Sequence, residues 1–569
     1  MMKKYTTIFI ALIIISFGCK RNSKYDDIVT RKSGLITDSA MVVSAHPLAS
    51  EVGAKVLKDG GNAVDAAVAV QFALAVVYPV AGNIGGGGFM VYRKHNGEVA
   101  TLDFREQAPG RASRDMYLDD EGNVIENLST RGHLAAGVPG SVDGMVKAHE
   151  MYGTLPWKDL VQPAINLAKN GFKLTKHEAD GLNANQEVFK EYNTVAPSYV
   201  IKDQWKEGDI IKYKDLAKTL KLIRDNGRDG FYSGLTAENI VKEMERGNGL
   251  ISLEDLQNYQ AKWREPIVGY YRDHKIISMP PPSSGGIALL QLLQNIEPFP
   301  VDQWGPHTTK TVHLMAEAER RVYADRAAHL GDPDYWTVPL EDLKDINYNL
   351  SRMENFNQDS ATNSDDIAAG IFAMVESEQT THFSIVDKYG NAVAITTTLN
   401  GGYGSKVFVG GAGFLLNNEM DDFSSKPGSP NMYGLVGGEA NAIAPGKRML
   451  SSMTPTIVER DGNLLMVVGT PGGSTIITSV FQTIVNVLDH KMGMQDAVSA
   501  KRFHHQWRPD SIIMEKNALD STVINALSEM GHHFTSRNGI GKVDAILVLP
   551  DGKLEGGADP RRDDAASGF

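Results

Sequence analysis

The chain has 569 residues, of which 42% are hydrophobic and 22% charged, a composition typical of a globular protein with a large core. Its formal net charge is −12, and no long run of basic residues occurs. Because nucleic-acid binding needs clustered lysine and arginine side chains, these features exclude a nucleic-acid partner from the expected functions.

The N-terminus has the parts of an export signal. Two lysines precede a continuous apolar run at residues 8–15, and small residues follow it up to Cys19, the only cysteine. The run is too short to span a membrane as a mature helix, so residues 1–18 are predicted to be a signal peptide. The position of Cys19 resembles the lipid-attachment cysteine of bacterial lipoproteins. We therefore expect export to the periplasm or cell envelope, with a lipid anchor at Cys19; the alternative is ordinary cleavage nearby and an incidental cysteine.

A polar tether, two helices and a glycine run are predicted next. Residues 19–35 are polar and charged, and residues 45–77 form a helical pattern broken at residues 59–62. The alanine-rich second helix, residues 63–77, is typical of a helix packed on most sides and is too short to span a membrane. The glycine run at 82–88 fits neither the dinucleotide fingerprint nor the P-loop, so it predicts a tight turn with close backbone approach before a strand.

The predicted secondary structure changes between residues 354 and 380. Residues 141–350 alternate helical stretches with loops, and the proline-rich residues 280–286 predict a rigid turn. Residues 354–366 are strongly polar and predict an exposed linker. Short β-rich segments follow, at 380–387, 392–399 and 464–469. The sequence thus predicts an internal boundary just before Thr380.

Residues 380–399 predict a β-hairpin. Alternating strand patterns flank Lys388-Tyr389-Gly390-Asn391, which supplies turn residues. Pairing about Tyr389 places Thr398 opposite Thr380. Because side chains alternate along a strand, Thr398 and Asn400 should point the same way.

A threonine at this place has a possible chemical role. Its hydroxyl needs a base, and an N-terminal threonine can use its own α-amine, whose pKa is roughly 7.7–8. That arrangement requires cleavage of the bond before Thr380. The hairpin alone leaves the ordinary interpretation open, since paired threonines are common β-formers.

Further motifs decide between these interpretations. TTHFSIVD, from Thr380, resembles the start of the small subunit of the γ-glutamyltranspeptidases (glutathione hydrolases). More of that family's pattern follows in order along the chain: GGNAVDAAVA at 60–69, GNIGGGGFM at 82–90, DFREQAP at 103–109, LLNNEMDDFS at 415–424, YGLVGGEAN at 433–441, KRMLSSMTPT at 447–456, VGTPGGS at 468–474 and FHHQW at 503–507. The similarity runs from about residue 35 to the C-terminus.

The resemblance implies a fold and a reaction. The fold is of the α+β class, the four-layer αββα sandwich of the N-terminal nucleophile hydrolases. Self-cleavage between Gln379 and Thr380 would give a large subunit, residues 36–379, and a small subunit, residues 380–569, as an interlocked heterodimer. The enzyme would transfer the γ-glutamyl group of glutathione and related compounds to water, amino acids or peptides. No cofactor and no metal are expected.

The resemblance also assigns roles to residues. Thr380 would be the nucleophile, Thr398 would tune it, and the glycines that precede a helix predicted from about Thr475 would stabilise the oxyanion. The substrate's α-carboxylate would bind an arginine and two serines, and its ammonium would bind an amide and two acids, with a tyrosine on a lid loop closing over it. In this sequence these are Gly472 and Gly473 (oxyanion), Arg105, Ser451 and Ser452 (carboxylate), Asn400, Glu419 and Asp422 (ammonium), and Tyr433 (lid). Glu419 stands where some relatives have glutamine.

Other interpretations are weaker. The pairs His504-His505 and His532-His533 lack metal-site spacing, and adjacent histidines on a strand face opposite ways, which favours structural roles. No Gly-x-Ser-x-Gly elbow occurs. A cephalosporin-type acylase of the same superfamily would keep Thr380 but would not need the ammonium-binding residues. A non-catalytic binding lipoprotein would not cleave itself.

Overall fold

The structure is a computed structural model that describes residues 33–367, 380–426 and 438–569. The predicted signal peptide, most of the tether, Cys19, Gln379 and Tyr433 lie outside the described residues. Within those three ranges, no helix combines the length and the apolar character needed to cross a bilayer.

Numbered in chain order, the described residues form nineteen strands: β1 (Leu35–Thr37), β2 (Met41–Ser44), β3 (Gly87–Arg93), β4 (Val99–Asp103), β5 (Phe172–Lys173), β6 (Ile210–Ile211), β7 (Lys262–Arg264), β8 (Ile267–Tyr271), β9 (His274–Ser278), β10 (Thr380–Val386), β11 (Ala392–Thr398), β12 (Thr456–Arg460), β13 (Asn463–Gly469), β14 (Phe503–His504), β15 (Ile512–Glu515), β16 (Phe534–Arg537), β17 (Asp544–Val548), β18 (Leu554–Ala558) and β19 (Ala565–Gly568).

The same residues form eighteen α-helices: α1 (Pro47–Lys58), α2 (Ala63–Val77), α3 (Ser141–Tyr152), α4 (Trp157–Asn170), α5 (Lys176–Ala184), α6 (Gln186–Tyr192), α7 (Lys214–Asn226), α8 (Asp229–Tyr232), α9 (Gly234–Arg246), α10 (Leu253–Asn258), α11 (Gly285–Ile296), α12 (Val301–Trp304), α13 (Thr309–His329), α14 (Leu340–Lys344), α15 (Ile346–Ser351), α16 (Thr475–Leu488), α17 (Met494–Ser499) and α18 (Ser521–Glu529). Short 3-10 helices include Glu419–Asp422.

Two antiparallel seven-stranded sheets form the centre of the molecule. Sheet 1 has the strand order β19-β2-β10-β11-β3-β4-β7, and sheet 2 has the order β1-β18-β17-β13-β12-β9-β8. Side chains from both sheets pack between them, including Val43, Phe89, Ile277, Ile457 and Val467. Because side chains alternate along each strand, each sheet also has an outer face, and the apolar side chains on that face must be covered by other elements.

Helices cover both outer faces. One core joins sheet 1 to helices such as α2, α4 and α7, and another joins sheet 2 to α11, α13 and α16. All fifteen residues of α2 are buried. Its start is fixed by a capping box in which Asn62 and Asp65 bond each other's backbone N–H groups, which explains the helix break predicted there. The architecture is the predicted αββα sandwich.

Both sheets are assembled from two parts of the chain. Sheet 1 takes β2, β3, β4 and β7 from before residue 367 and β10, β11 and β19 from after residue 380. Next to the edge of this sheet, β2 pairs with the edge strand β19 on one side and with β10 on the other. Neither part contains all the strands of either seven-stranded sheet.

Two local predictions were wrong in detail. Gly285 and Gly286, predicted within a rigid turn, are instead the first residues of α11. The predicted exposed linker is fastened at its second half: Thr362 Oγ1 donates to Glu317 at 2.5 Å, and buried Ser364 accepts from Arg320 at 2.5 Å. The polar sequence of the linker does not show that charged side chains on α13 bind its residues.

Candidate active site

The hairpin β10–β11 brings Thr380 and Thr398 together. The two residues are directly paired, and the register runs without a shift to Val386 and Ala392. Thr380 Oγ1 donates to Thr398 Oγ1 at 3.3 Å. Thr398 Oγ1 also accepts the backbone N–H of Asn400 at 2.7 Å. This confirms the pairing derived from the turn, and it places the Thr380 hydroxyl, in a residue 6% exposed, at the first position of β10.

Asn83 supports the far end of this hairpin. Its Nδ2 donates to the carbonyl oxygen of Thr398 at 2.8 Å and to Thr397 Oγ1 at 3.1 Å. A Cβ built on Gly86 would lie 2.0 Å from that same Thr398 carbonyl, so only glycine fits there. The predicted close approach is confirmed, although part of the glycine run lies in β3 and not in a turn. Sequence reasoning missed Asn83, which stands inside the quoted GNIGGGGFM stretch.

His382 connects the hairpin to sheet 2. Its Nδ1 lies 2.9 Å from Thr396 Oγ1 and its Nε2 lies 3.0 Å from Ser384 Oγ, which donates to the carbonyl of Asp544. Burial, with a contribution from the Arg562 charge, lowers the pKa of His382 to about 3, so the ring is neutral. A Cβ on Gly469 would meet this ring at 2.3 Å. The end of β13 therefore lies beside the start of β10.

The turn after β13 contains the two glycines predicted to face the oxyanion. Gly472 has a φ of 143° and Gly473 a φ of 60°, a conformation that favours glycine. The Gly472 carbonyl accepts from the N–H and the hydroxyl of Thr475, at 3.2 and 2.6 Å. The first turn of α16, which begins at Thr475 as predicted, is thus bonded to the glycine turn.

Side chains from other elements fix this turn. Ser474 Oγ donates to Gln506 Oε1 at 2.8 Å, and the Tyr323 hydroxyl donates to the Ser474 carbonyl. His504 Nε2 lies 2.8 Å from the same Gln506 oxygen. Burial lowers the pKa of His504 to about 3, so the neutral ring donates there. Gln506 lies in the FHHQW motif, but the sequence alone did not indicate its contact with Ser474.

Arg105 follows β4 and contacts two carboxylates. Its Nη1 lies 2.6 Å from Glu419 Oε2, and its Nη2 donates to Asp422. The backbone carbonyls of Met449 and Leu450 also accept from the guanidinium, at 3.3 and 3.2 Å. All three charged residues are at most 2% exposed. The predicted carboxylate-binding arginine is thus paired with two of the predicted ammonium-binding acids, which stand one turn apart on a 3-10 helix.

Asn400 joins the hairpin to the acidic segment. Its φ is 69°, and its Nδ2 donates to the carbonyl of Asn418 at 3.1 Å. The Asn418 side chain in turn accepts the N–H of Gly401 at 2.7 Å. Asn418, the residue before Glu419, therefore fixes the position of Asn400 and Gly401, which follow the hairpin. Sequence reasoning missed this role of Asn418.

Ser451 and Ser452 continue the loop whose Leu450 carbonyl binds Arg105. Ser451 Oγ accepts the N–H of Met453 at 3.1 Å. Ser452 Oγ accepts from Arg326 at 2.7 Å, and Arg326 also donates to Ser284 Oγ at 2.7 Å. Arg326 lies on α13, 126 residues from Ser452 along the chain, so no local pattern indicated it.

The chain matches one known protein family over most of its length. The family model described as gamma-glutamyltranspeptidase matches residues 49–569. The chain belongs to the γ-glutamyltranspeptidase family. Over 532 residues it is 48% identical to the glutathione hydrolase proenzyme of Escherichia coli (strain K12), covering 93% of this chain and 92% of that protein.

Other relatives of this family member include an acylase. The acylase ACY 1 proenzyme of Pseudomonas sp. (strain SE83) is 36% identical over 545 residues, covering 94% of this chain and 95% of that protein. The crystal structure of Helicobacter pylori gamma-glutamyltranspeptidase matches with 47% identity and a TM-score of 0.57, over 60% of this chain and 97% of that chain. Cephalosporin acylase from Bacillus halodurans, at 24% identity, has a TM-score of 0.84 over 96% of this chain and 99% of that chain, which shows the fold alone. The chain is an enzyme with the N-terminal nucleophile hydrolase fold, as predicted.

Glu106 is a buried acid that directly follows Arg105 in the chain. Its carboxyl group lies 3.7 Å from Arg105 Nη1, and the residue is fully buried. Burial raises the pKa of Glu106 to about 8, against the opposing effect of the Arg105 charge. At neutral pH Glu106 is therefore largely protonated.

One buried group of possible ligand atoms lies away from this site, at His313, Glu317 and His532. His313 Nδ1 lies 2.7 Å from His532 Nε2, and Glu317 accepts from Arg321 at 2.7 Å. Because these atoms bond each other and an arginine, the group fits the structural role expected for the histidine pairs.

Proposed function

We propose that the chain is a self-processing γ-glutamyltransferase (glutathione hydrolase) whose nucleophile is Thr380. The observation that carries the proposal is the Thr380 hydroxyl, 3.3 Å from Thr398 Oγ1, at the first position of β10 in a member of this family. Relatives at 48 and 47% identity are named glutathione hydrolase proenzymes.

Processing would begin with Thr380 itself. Its Oγ attacks the carbonyl carbon of Gln379, the C–N bond breaks, and the acyl group moves from nitrogen to oxygen. Water then hydrolyses this ester, which leaves a carboxylate on Gln379 and a free α-amine on Thr380. The products are the large subunit, residues 36–379 with the 19–35 tether still attached in front of it, and the small subunit, residues 380–569. They remain a heterodimer because both sheets take strands from each.

The same hydroxyl would then attack the donor. The Thr380 α-amine, with a pKa of roughly 7.7–8, removes the hydroxyl proton as Oγ adds to the γ-glutamyl carbonyl. The N–H groups of Gly472 and Gly473 stabilise the oxyanion. The C–N bond breaks, the leaving amine takes the proton, and an ester to Thr380 remains. Water or the amine of an amino acid or peptide attacks this ester and releases Oγ.

Recognition of the glutamyl group would use the cluster around Arg105. The substrate's α-carboxylate binds Arg105, with the hydroxyls of Ser451 and Ser452 beside it. Its ammonium binds Asn400, Glu419 and Asp422. Because Arg105 already contacts Glu419 and Asp422, a zwitterion exchanges partners within the cluster and adds no net charge. This favours an amino-acid head group over a plain acyl group.

Three further assignments complete the proposal. Tyr433 closes over the glutamyl pocket from a lid loop. Export is directed by residues 1–18. A lipid on Cys19 anchors the protein at the cell envelope.

A cephalosporin-type acylase is the second candidate function. The 36% identity to an acylase proenzyme favours it, and it would share Thr380 and the glycine turn. The three charged residues buried together at Arg105 argue for the transferase, since an acyl group without an ammonium has no use for two carboxylates.

The test compares wild type with Thr380→Ala and Thr380→Ser. We expect wild type to release nitroaniline from a γ-glutamyl nitroanilide and to run as two bands on a denaturing gel. Thr380→Ala should do neither, and Thr380→Ser should do both more slowly. Two bands without nitroaniline release would favour the acylase, and one inactive band in wild type would overturn self-processing.

A further inference from the structure

A single buried asparagine joins two chain segments that carry proposed glutamyl-binding groups. Asn441 ends the 3-10 helix Glu439–Asn441 and is fully buried. Its Nδ2 donates to the backbone carbonyl of Asp422 at 2.6 Å, and its Oδ1 accepts the backbone N–H of Leu450 at 2.9 Å. One side-chain amide therefore connects the segment with a proposed ammonium-binding acid to the segment that leads into the two proposed carboxylate-binding serines.

Arg105 closes these contacts into a ring. Its guanidinium donates to the Asp422 side chain and to the Leu450 carbonyl, the latter at 3.2 Å. Asn441 binds the same two residues through the carbonyl of Asp422 and the N–H of Leu450. The separation between Asp422 and Leu450 is thus fixed at two points, one at Arg105 and the other at Asn441.

The backbone around Asn441 is itself fixed. Its carbonyl accepts the N–H of Ser424 at 3.0 Å. The carbonyls of its two neighbours, Ala440 and Ala442, both accept from the buried Lys447 Nζ at 2.9 Å. The amide of Asn441 therefore extends from a backbone that bonds hold on both sides, so its two ends have defined positions.

The two contacts of Asn441 require a side-chain amide. An amide offers a donor and an acceptor on one planar group, whereas a carboxylate only accepts and an aliphatic side chain does neither. Asp422 and Leu450 are each at most 2% exposed. Removing the amide at so buried a place takes a bond from each segment, and the segments would have to shift to make other bonds.

The separation of the two segments matters most for a ligand with two charges. An α-amino-acid head group carries its ammonium and its carboxylate on the same carbon atom, so the distance between these groups is fixed. It can bind Asp422 and the serine segment at once only if the two segments stand at the matching distance. A ligand that has the carboxylate alone needs one segment, and a small change in their separation affects it little.

We propose that Asn441 is a positioning residue that sets the distance between Asp422 and the serine segment, and that it thereby selects substrates with an α-amino-acid head group. It acts through the backbone of Asp422 and Leu450 and not on the reacting atoms. This inference rests on the proposed transferase function, and it assigns part of the substrate selectivity to a residue outside the proposed ligand-binding set.

The test compares two nitroanilides that differ in the head group. γ-Glutamyl nitroanilide carries the ammonium and the carboxylate, and glutaryl nitroanilide lacks the ammonium. For wild type we expect kcat/KM to be about 100-fold higher for the γ-glutamyl compound. Asn441→Leu should lower this ratio about tenfold, mainly through a higher KM for γ-glutamyl nitroanilide, while kcat/KM for glutaryl nitroanilide changes less than about threefold.

Three further variants sharpen the comparison. Asn441→Gln offers the same donor and acceptor on a longer side chain and should recover part of the ratio. Asn441→Asp keeps the size and the acceptor for Leu450 but loses the donor to Asp422, so its ratio should also fall, and it serves in place of a leucine variant that does not process itself. Asn183→Leu is the matched control, because the Asn183 amide binds the carbonyl and the N–H of Trp205, both at 2.8 Å, and should keep the wild-type ratio.

Rates are compared per amount of processed enzyme, measured from the two bands on a denaturing gel. A wild-type ratio in both Asn441→Leu and Asn441→Asp would overturn the role of Asn441 and leave the transferase intact. An equal loss of kcat/KM on both substrates would overturn it as well, because a general loss of structure does not distinguish head groups. A wild-type enzyme that cleaves glutaryl nitroanilide faster than γ-glutamyl nitroanilide would overturn the transferase proposal and this one with it.

Discussion

At the scale of single residues, the environment of the Thr380 hydroxyl decides how it can react. Thr398 Oγ1 lies between the Thr380 hydroxyl and the N–H of Asn400, 3.3 and 2.7 Å away. An oxygen that receives the Asn400 N–H is fixed in place, and it holds the Thr380 hydroxyl in one rotamer. In the proposed mechanism, Thr398 is thus a positioning residue for the nucleophile.

Thr398→Val tests this role, since valine keeps the shape and removes the hydroxyl. We expect kcat for γ-glutamyl anilide hydrolysis to fall about 10- to 100-fold with little change in KM, because orientation is lost and glutamyl binding is not. Thr398→Ser should recover most of the rate. A valine variant with wild-type kcat, measured on fully processed enzyme, would contradict the role.

The sequence predicted some residue contacts and not others. The partner of Thr380 followed from the turn at Tyr389, because a hairpin fixes its own register. The contact of Arg105 with Glu419 and Asp422 could not be predicted, since over 300 residues separate them and only the fold brings them together. The resemblance named all three residues but not their mutual pairing.

At the scale of elements, the glycine turn depends on α13 and on the segment after α17. Tyr323 and Gln506 hold the carbonyl and the hydroxyl of Ser474, directly after Gly473. Two glycines with positive φ have little stiffness of their own. Their N–H groups can be preorganised only if the neighbouring residue is fixed.

Gln506→Met should therefore lower kcat about tenfold and change KM less than twofold, because oxyanion stabilisation acts in the transition state. Gln506→Glu keeps an acceptor for Ser474 and should retain more activity than the methionine variant. Gln495→Met, which alters a buried glutamine bonded to Ser499 and Ala558, is the control and should behave as wild type. A KM effect without a kcat effect in Gln506→Met would argue against this role.

Element boundaries were predicted best where local signals were strong. Helix α2 begins at a capping box and α16 begins after the glycine turn, and both were placed at the residue where the structure starts them. The linker was predicted less well, because Thr362 and Ser364 are held by charges on the distant helix α13.

At the scale of the whole molecule, several buried neutral histidines make stability depend on pH. Burial, with a smaller contribution from His313, lowers the pKa of His532 to about 3. An unfolded histidine has a pKa of roughly 6.5. Between these values the unfolded chain binds more protons than the folded one, so the free energy of unfolding falls as pH falls.

His532→Gln should reduce this dependence. One such histidine costs about 2 kcal/mol of stability on acidification from pH 7 to pH 5. The neighbouring His533 is exposed, so His533→Gln is the matched control and should keep the wild-type pH dependence. Urea unfolding at both pH values, in a Thr380→Ala background that keeps the chain in one piece, measures the difference. Equal pH dependence in the two variants would contradict the assignment.

The architecture could be predicted as a class but not as a topology. Strand patterns and the family resemblance indicated two stacked sheets with helices outside. The order of strands, with β2 between β10 and β19, depends on pairings between the two ends of the chain, which no local pattern encodes.

That strand order affects how readily the molecule folds before and after cleavage. While the chain is whole, its two parts fold in each other's presence at a high effective concentration, whatever the dilution outside. Once the bond before Thr380 is cut, the same two parts are separate molecules, and an enzyme that unfolds leaves two partners that must meet by diffusion. In the proposed mechanism, the covalent bond that guides assembly is also the bond that must be broken for activity, so each copy of the enzyme has one efficient opportunity to fold.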